Sequence, residues 1–360
     1  MEPLKENIED LQKKRDKLNS LYRAGKISPR YNQHLRLMLE SFKNVIYHLQ
    51  HIYEEKSVLL SEEELKKIRD REVKPLLLLY SLFSDKIEKE MHENDKALES
   101  IAMNFFRMNA LPGIDTMVII EEIGLRVEFI PVYLKDGSRT ASKNAPIIIV
   151  NNEIVRYVHN WILILHEMSH LLKTFEDCLN KNNPRLNYEC ELFSDLYSTH
   201  IAGYAYVNAL IQYSENSNDD PYIYTQTHPS QAFRVKITLD HLKRKFTTAI
   251  GERTINKLEM NWISWLDSAG YIGSTILDEY RAESSALRKL DDAIKELGVS
   301  NSYKELIERI KIVEDNLYVQ LTPIELLNYV SLSEDFGKPM IDEGEVKNII
   351  VEWSKEQYGR

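Results

Sequence analysis

The sequence predicts an α+β fold that is mainly α-helical, with a small sheet set between helical regions. Three observations lead there. Glycine is absent from 26–112 while Leu, Ile, Lys and Glu recur at spacings of three and four, as in SEEELKKIRDREVKPLLLLYSLFSDKIEKEM, which is the period of an amphipathic helix. The period then changes: β-branched runs crowd 116–150, the signature of short strands. From Glu153 the apolar residues return to helical spacing.

Taken in order, the first helical region covers 1–110. Pro75 begins or kinks a helix within it, and Pro112-Gly113 closes it with a turn. Strands are expected at 116–120, 125–133 and 146–150, separated by Gly124 and by the polar 135–144 stretch. Val158, Trp161, Ile162, Leu165, Ser169 and Leu172 follow at helical spacing, and WILIL is apolar on every side. Such a helix lies inside its domain. Further helices are expected at 188–212 and 229–246, the latter opened by Pro229. The remainder to Arg360 reads as helix. The implied division is 1–110, a catalytic core at 111–250, and a helical C-terminal region at 251–360.

Lys and Arg number 46 against 56 Asp and Glu, a net charge of −10, which excludes a basic nucleic-acid binder. The first hundred residues carry 19 of each sign, so the acidic excess lies beyond them. No apolar run approaches the ~20 residues needed to cross a bilayer. The charged N-terminus, MEPLKENIEDLQKKRDK, has no apolar signal core. Cys178 and Cys190 lack CxxC spacing and fit as free thiols, small buried side chains in a reduced compartment. A cytoplasmic location is the expectation.

Chemistry concentrates at His166-Glu167-Met168-Ser169-His170, an HExxH. Two histidines four residues apart on a helix face one way, so both imidazoles reach one metal ion, and Glu167 is offset toward a water on that ion. Imidazole and carboxylate groups in an otherwise apolar helix are costly unless something compensates them, and a zinc ion would. Catalytic zinc needs a third protein ligand. The compact HExxHxxGxxH pattern would place it at Glu176, but Lys173 stands where the turning glycine belongs. Glu191, with Asp195 one turn on, is preferred over Glu176 and Glu189, because Glu191 could bind zinc while Asp195 fixes the tautomer of a ligand histidine.

In HEMSH at 166–170, the ExxxD of Glu191 to Asp195, and Thr227-His228-Pro229-Ser230 continuing to Arg234 as HPxxxxR, the sequence resembles the gluzincin metallopeptidases. It is most similar to the branch containing the CAAX prenyl endopeptidase, the heat-shock membrane protease and the mitochondrial inner-membrane stress protease. The likeness covers about 70 residues, and this chain lacks the membrane spans of those relatives. The resemblance implies a zincin-like core, zinc held by His166, His170 and Glu191, and Glu167 as general base. His228 or Arg234 would stabilise the oxyanion, although His228 could instead cap a helix and Arg234 could pair with Asp195. His159 and His200 are expected to pack rather than ligate.

The expected activity is that of a zinc-dependent intracellular endopeptidase acting on few protein or peptide substrates, in regulation, stress or phage defence. A substrate could add as a strand along 146–150, which could equally be a core strand. Two alternatives compete: a regulatory or sensor protein using a zincin-like fold to bind a partner, and a metallohydrolase acting on another amide or ester.

Overall fold

The computed structural model describes residues 2–28, 31–56, 60–88, 93–109, 116–121, 125–133, 139–172, 184–217, 219–225, 228–271, 277–314 and 317–358. The chain divides into two compact units: one of 1–95, 113–119 and 127–149, the other of 96–112, 120–126 and 150–360.

The first unit holds helices α1 (Glu2–Arg23), α2 (Asn32–Lys56), α3 (Glu62–Ile68) and α4 (Lys74–Glu88). Ser61 starts α3 with a reciprocal capping box to Glu64, which satisfies donors a helix start leaves open. A π-helical turn at 69–73 joins α3 to α4, so Pro75 follows a widened turn, where its missing N–H is least costly. Apolar faces of these helices, including Leu11, Met38, Phe42, Leu76 and Phe83, share one core with Met117, Ile147 and Ile149 of the strands. Lys86 is buried there against Asp95 and the Val118 carbonyl, both at 2.6 Å.

Strands β1 (Met117–Glu121), β2 (Arg126–Tyr133) and β3 (Arg139–Asn151) form a three-stranded sheet in the order β1-β3-β2. The last strand in sequence is therefore the middle one. Ala145 and Ile147–Val150 have no exposed surface, so 146–150, expected as an edge open to an added substrate strand, is instead a core strand with a neighbour on each side.

The second unit is helical: α5 (Glu93–Met108) from Lys96 onward, α6 (Asn152–Arg156), α7 (Ile164–Ser169), α8 (Pro184–Asn216), α9 (Gln231–Ile250), α10 (Glu252–Ser268), α11 (Leu277–Leu297), α12 (Ser302–Ile312), α13 (Pro323–Leu332) and α14 (Glu343–Tyr358). At its centre runs α8, packed on α7, α9, α11, α12 and α13. From Leu192 through Val207 every residue of α8 is buried, so its polar groups must find partners inside the protein. Phe193, Leu196, Tyr197 and Tyr206 fill its surroundings. The C-terminal helices pack on α8, and no unit boundary falls at 250.

The single buried helix expected from Glu153 is broken into pieces. Asn151 caps α6 by accepting from the Ile154 amide, a 3₁₀ segment covers 158–163, and only then does α7 carry the HExxH. Cys190 is buried but disulfide-bonded rather than a free thiol, and Cys178 lies outside the described residues. No helix among the described residues is long and apolar enough to cross a membrane.

Candidate metal centre

His166 and Glu167 project from α7, and His170 caps its C-terminal end. Facing them on α8, Glu191 and Asp195 lie one turn apart on the same side, as i,i+4 residues must. The two carboxylates grip opposite nitrogens of one imidazole. His166 Nδ1 lies 2.8 Å from Asp195 Oδ1, and its Nε2 lies 3.0 Å from Glu191 Oε2. His170 Nε2 is 3.2 Å from His166 Nε2 and 3.6 Å from Glu191 Oε1. The opposite nitrogen of His170, Nδ1, meets Ser194 Oγ at 3.1 Å.

These three groups are the one set among the described residues placed to hold a metal ion, their ligand atoms all within 4.8 Å of one another. A tetrahedral zinc ion with bonds of about 2.1 Å holds its ligand atoms about 3.4 Å apart; the two imidazole Nε2 atoms are 3.2 Å apart, Glu191 Oε2 is 3.0 Å from that of His166, and Glu191 Oε1 is 3.6 Å from that of His170. The donor set fits too. Asp195 accepts from His166 Nδ1–H, so that Nε2 would offer its lone pair toward the centre once a metal displaced the proton it shares with Glu191.

The electrostatics describe how the buried charges are balanced when no metal is bound. Asp195 is fully buried. Burial opposes its charge, but Arg234 and then His166 overcome that and hold it well below the usual carboxylate range. Arg234 Nε and Nη2 lie 2.6 and 2.8 Å from its two oxygens, and the Tyr206 hydroxyl donates to Oδ1 at 2.7 Å. Burial also opposes the charge of Glu191, yet the His166 hydrogen bond and neighbouring imidazoles bring its pKa down to about 2. His166 is disfavoured as a cation by burial, but Asp195 and Glu191 raise it to about 10. Without a metal, the His166 imidazolium and the Arg234 guanidinium balance the two carboxylates, so a metal ion binding here would displace the proton on His166 Nε2.

Beside the cluster lies a pocket of about 180 Å³ lined by Leu125, Leu163, Glu167, Leu210, Tyr213 and Gln231 together with His166, Glu191, Tyr206, His228 and Arg234. Glu167 is thus on the pocket wall next to two of the three candidate ligands. A turn in which the Thr225 amide donates to the His228 carbonyl and the His228 amide to Thr225 Oγ1 presents His228. Its half-exposed imidazole has Nε2 3.6 Å from Glu191 Oε2. Ser230 then caps α9, whose first turn carries Arg234.

Among the residues expected from sequence, His166, Glu167, His170, Glu191, Asp195, His228 and Arg234 come together. Arg234 does so as the partner of Asp195, with two of its nitrogens committed there, rather than as a donor aimed at a substrate oxygen. The rival ligand Glu189 points to Lys289 at 3.4 Å, and Glu176 and Thr227 lie outside the described residues. His159 stacks on Tyr157, and His200 Nε2 donates to the Val299 carbonyl at 3.2 Å; neither joins the cluster. Tyr206, Ser194 and Gln231 were not anticipated. Set beside known proteins, the chain matches no family model, no curated protein and no solved structure.

Proposed function

We propose that this protein is a zinc-dependent endopeptidase, similar in its site to the gluzincins, with a zincin-like arrangement of α7 and α8. The observation that carries the proposal is the convergence of His166 Nε2, His170 Nε2 and Glu191 within 4.8 Å, with Glu167 on the wall of the adjoining pocket. Bound there, zinc would supply Lewis acidity toward a carbonyl and make a water acidic enough to act near neutral pH. Glu167 takes the proton of the attacking water and returns it to the departing amine. His228, half-exposed on the pocket wall beside Glu191, is the candidate donor to the developing oxyanion. Asp195 keeps His166 in the tautomer and orientation that ligation requires, and Arg234 keeps Asp195 ionised. A peptide segment is the proposed substrate, and the pocket's Leu125, Leu163 and Leu210 would receive an apolar side chain.

The test compares new protein N-termini in cells expressing the wild type and Glu167→Gln. Termini present only with the wild type support peptidase activity. Identical termini, with both proteins folded and carrying zinc, would instead favour the sensor reading, in which the site binds a partner without cleaving it.

A further inference from the structure

We infer that the C-terminal helices position the metal centre through a break in α8, with Tyr303 and Asn328 as positioning residues; this rests on the metal-centre reading above. Asp195 and Tyr206 are eleven residues apart on α8. In an unbroken helix they would be separated by about 16 Å of axial rise, farther than a Tyr and an Asp side chain together reach. Yet the Tyr206 hydroxyl lies 2.7 Å from Asp195 Oδ1. The chain makes this contact because α8 is interrupted at Gly203, which has φ 48° and ψ −121°, a conformation that residues with a Cβ rarely adopt.

Breaking a buried helix frees backbone amides, and these must be satisfied. Here the C-terminal region satisfies them. The Tyr204 N–H donates to the Tyr303 hydroxyl at 2.9 Å and the Ala205 N–H to Asn328 Oδ1 at 3.3 Å. The Tyr303 hydroxyl in turn donates to Asn328 Oδ1 at 3.2 Å, and the Asn328 amide is anchored on the Ile324 carbonyl at 3.0 Å. The Tyr303 ring occupies the space beside Gly203, so that a Cβ there would fall 1.8 Å from the ring. Phe246 of α9 packs edge-on against that ring, centroids 4.7 Å apart. The latch thus fixes the break, the break brings Tyr206 onto Asp195, and Asp195 orients His166. This gives 251–360, which carries none of the candidate ligands, a part in the chemistry of the site.

Tyr303→Phe keeps the ring and removes the hydroxyl; Tyr206→Phe does the same at the other end. Two readouts on the full chain separate this proposal from the zinc reading. One is the downfield proton resonance of His166 Nδ1–H, assigned by its loss in His166→Asn and observable without metal. The other is zinc affinity, by competition with a chromophoric chelator. We expect the resonance to shift or broaden in both variants, Tyr206→Phe to weaken zinc binding about tenfold, Tyr303→Phe to weaken it several-fold, and the double variant to be no weaker than Tyr206→Phe. Asn328→Ala should repeat the effect of Tyr303→Phe. A lowered melting temperature with the resonance and affinity unchanged in Tyr303→Phe, or additive losses in the double variant, overturns the proposal. Should the wild type bind no zinc, the metal reading fails, and the resonance alone still decides the positioning claim.

Discussion

Replacing Arg234 by Met probes the inner framework of the site while leaving every candidate ligand intact. Asp195 is completely buried and Oδ2 has Arg234 Nε, at 2.6 Å, as its hydrogen-bond donor. The change removes two charge-assisted bonds, each worth about 1.5–3 kcal/mol, and leaves a buried carboxylate with His166 and Tyr206 alone. Breaking a buried pair from one side typically costs 3–5 kcal/mol; the surviving partners of Oδ1 place the expected loss near the lower end, about 3 kcal/mol. For a unit of this size that corresponds to a fall in melting temperature of roughly 6–12 °C. Zinc affinity should fall by about 10–100-fold, because Asp195, which orients His166, loses the partner that holds it in place and ionised. Arg234→Lys keeps the charge without the fork and should lie between. Differential scanning calorimetry of metal-free protein and a zinc titration measure the two effects. A melting shift under about 2 °C together with wild-type zinc affinity would refute the idea that the Arg234–Asp195 pair supports the site.

Two further outcomes concern the interior of the second unit. Burial lowers His200 to about 4 and His241 to about 3, and neither ring nitrogen of His241 has a hydrogen-bond partner among the described residues. Unfolded histidines titrate near 6.5, so the unfolded chain binds more protons between these values. Stability is then fully present above about pH 6.5 and is lost as pH falls toward 4, by about 3 kcal/mol for His200 alone. His241→Phe should flatten the acid limb of a melting-temperature profile, and an unchanged profile would count against the burial argument. Gly203→Ala must displace the Tyr303 ring or abandon the break; a loss of at least ~3 kcal/mol is expected in denaturant unfolding, and near-wild-type stability would show the break to be dispensable.

Much of the site was legible because helical periodicity is a strict geometric rule. HExxH and ExxxD each place two side chains one turn apart, so their facing arrangement follows once two helices pack. Serine at 194, three residues after Glu191, obeyed the same rule and could have been found by it. Tyr206 could not be found by periodicity, because its contact depends on a helix that stops being periodic at Gly203; the lone glycine in STHIAGYAYV was the available signal. The role of Arg234 turned on competition between a substrate oxygen and a buried carboxylate, which only distances resolve. The sheet order was hidden for a different reason: IIIV composition suits an edge and a middle strand alike, and long-range pairing decides which it becomes. Likewise, the HExxH segment has helical spacing throughout, yet 3₁₀ winding at 158–163 leaves an apolar pattern of nearly the same appearance.

The central claim is that His166, His170 and Glu191 form a zinc site, and the most direct measurement is the metal content of the purified full chain by atomic spectrometry. The expected result is one zinc ion per chain in the wild type, retained in Glu167→Gln and Glu189→Gln and lost in His170→Ala and Glu191→Ala. A wild-type chain that stays metal-free after incubation with zinc, or equal zinc in all five proteins, would contradict it.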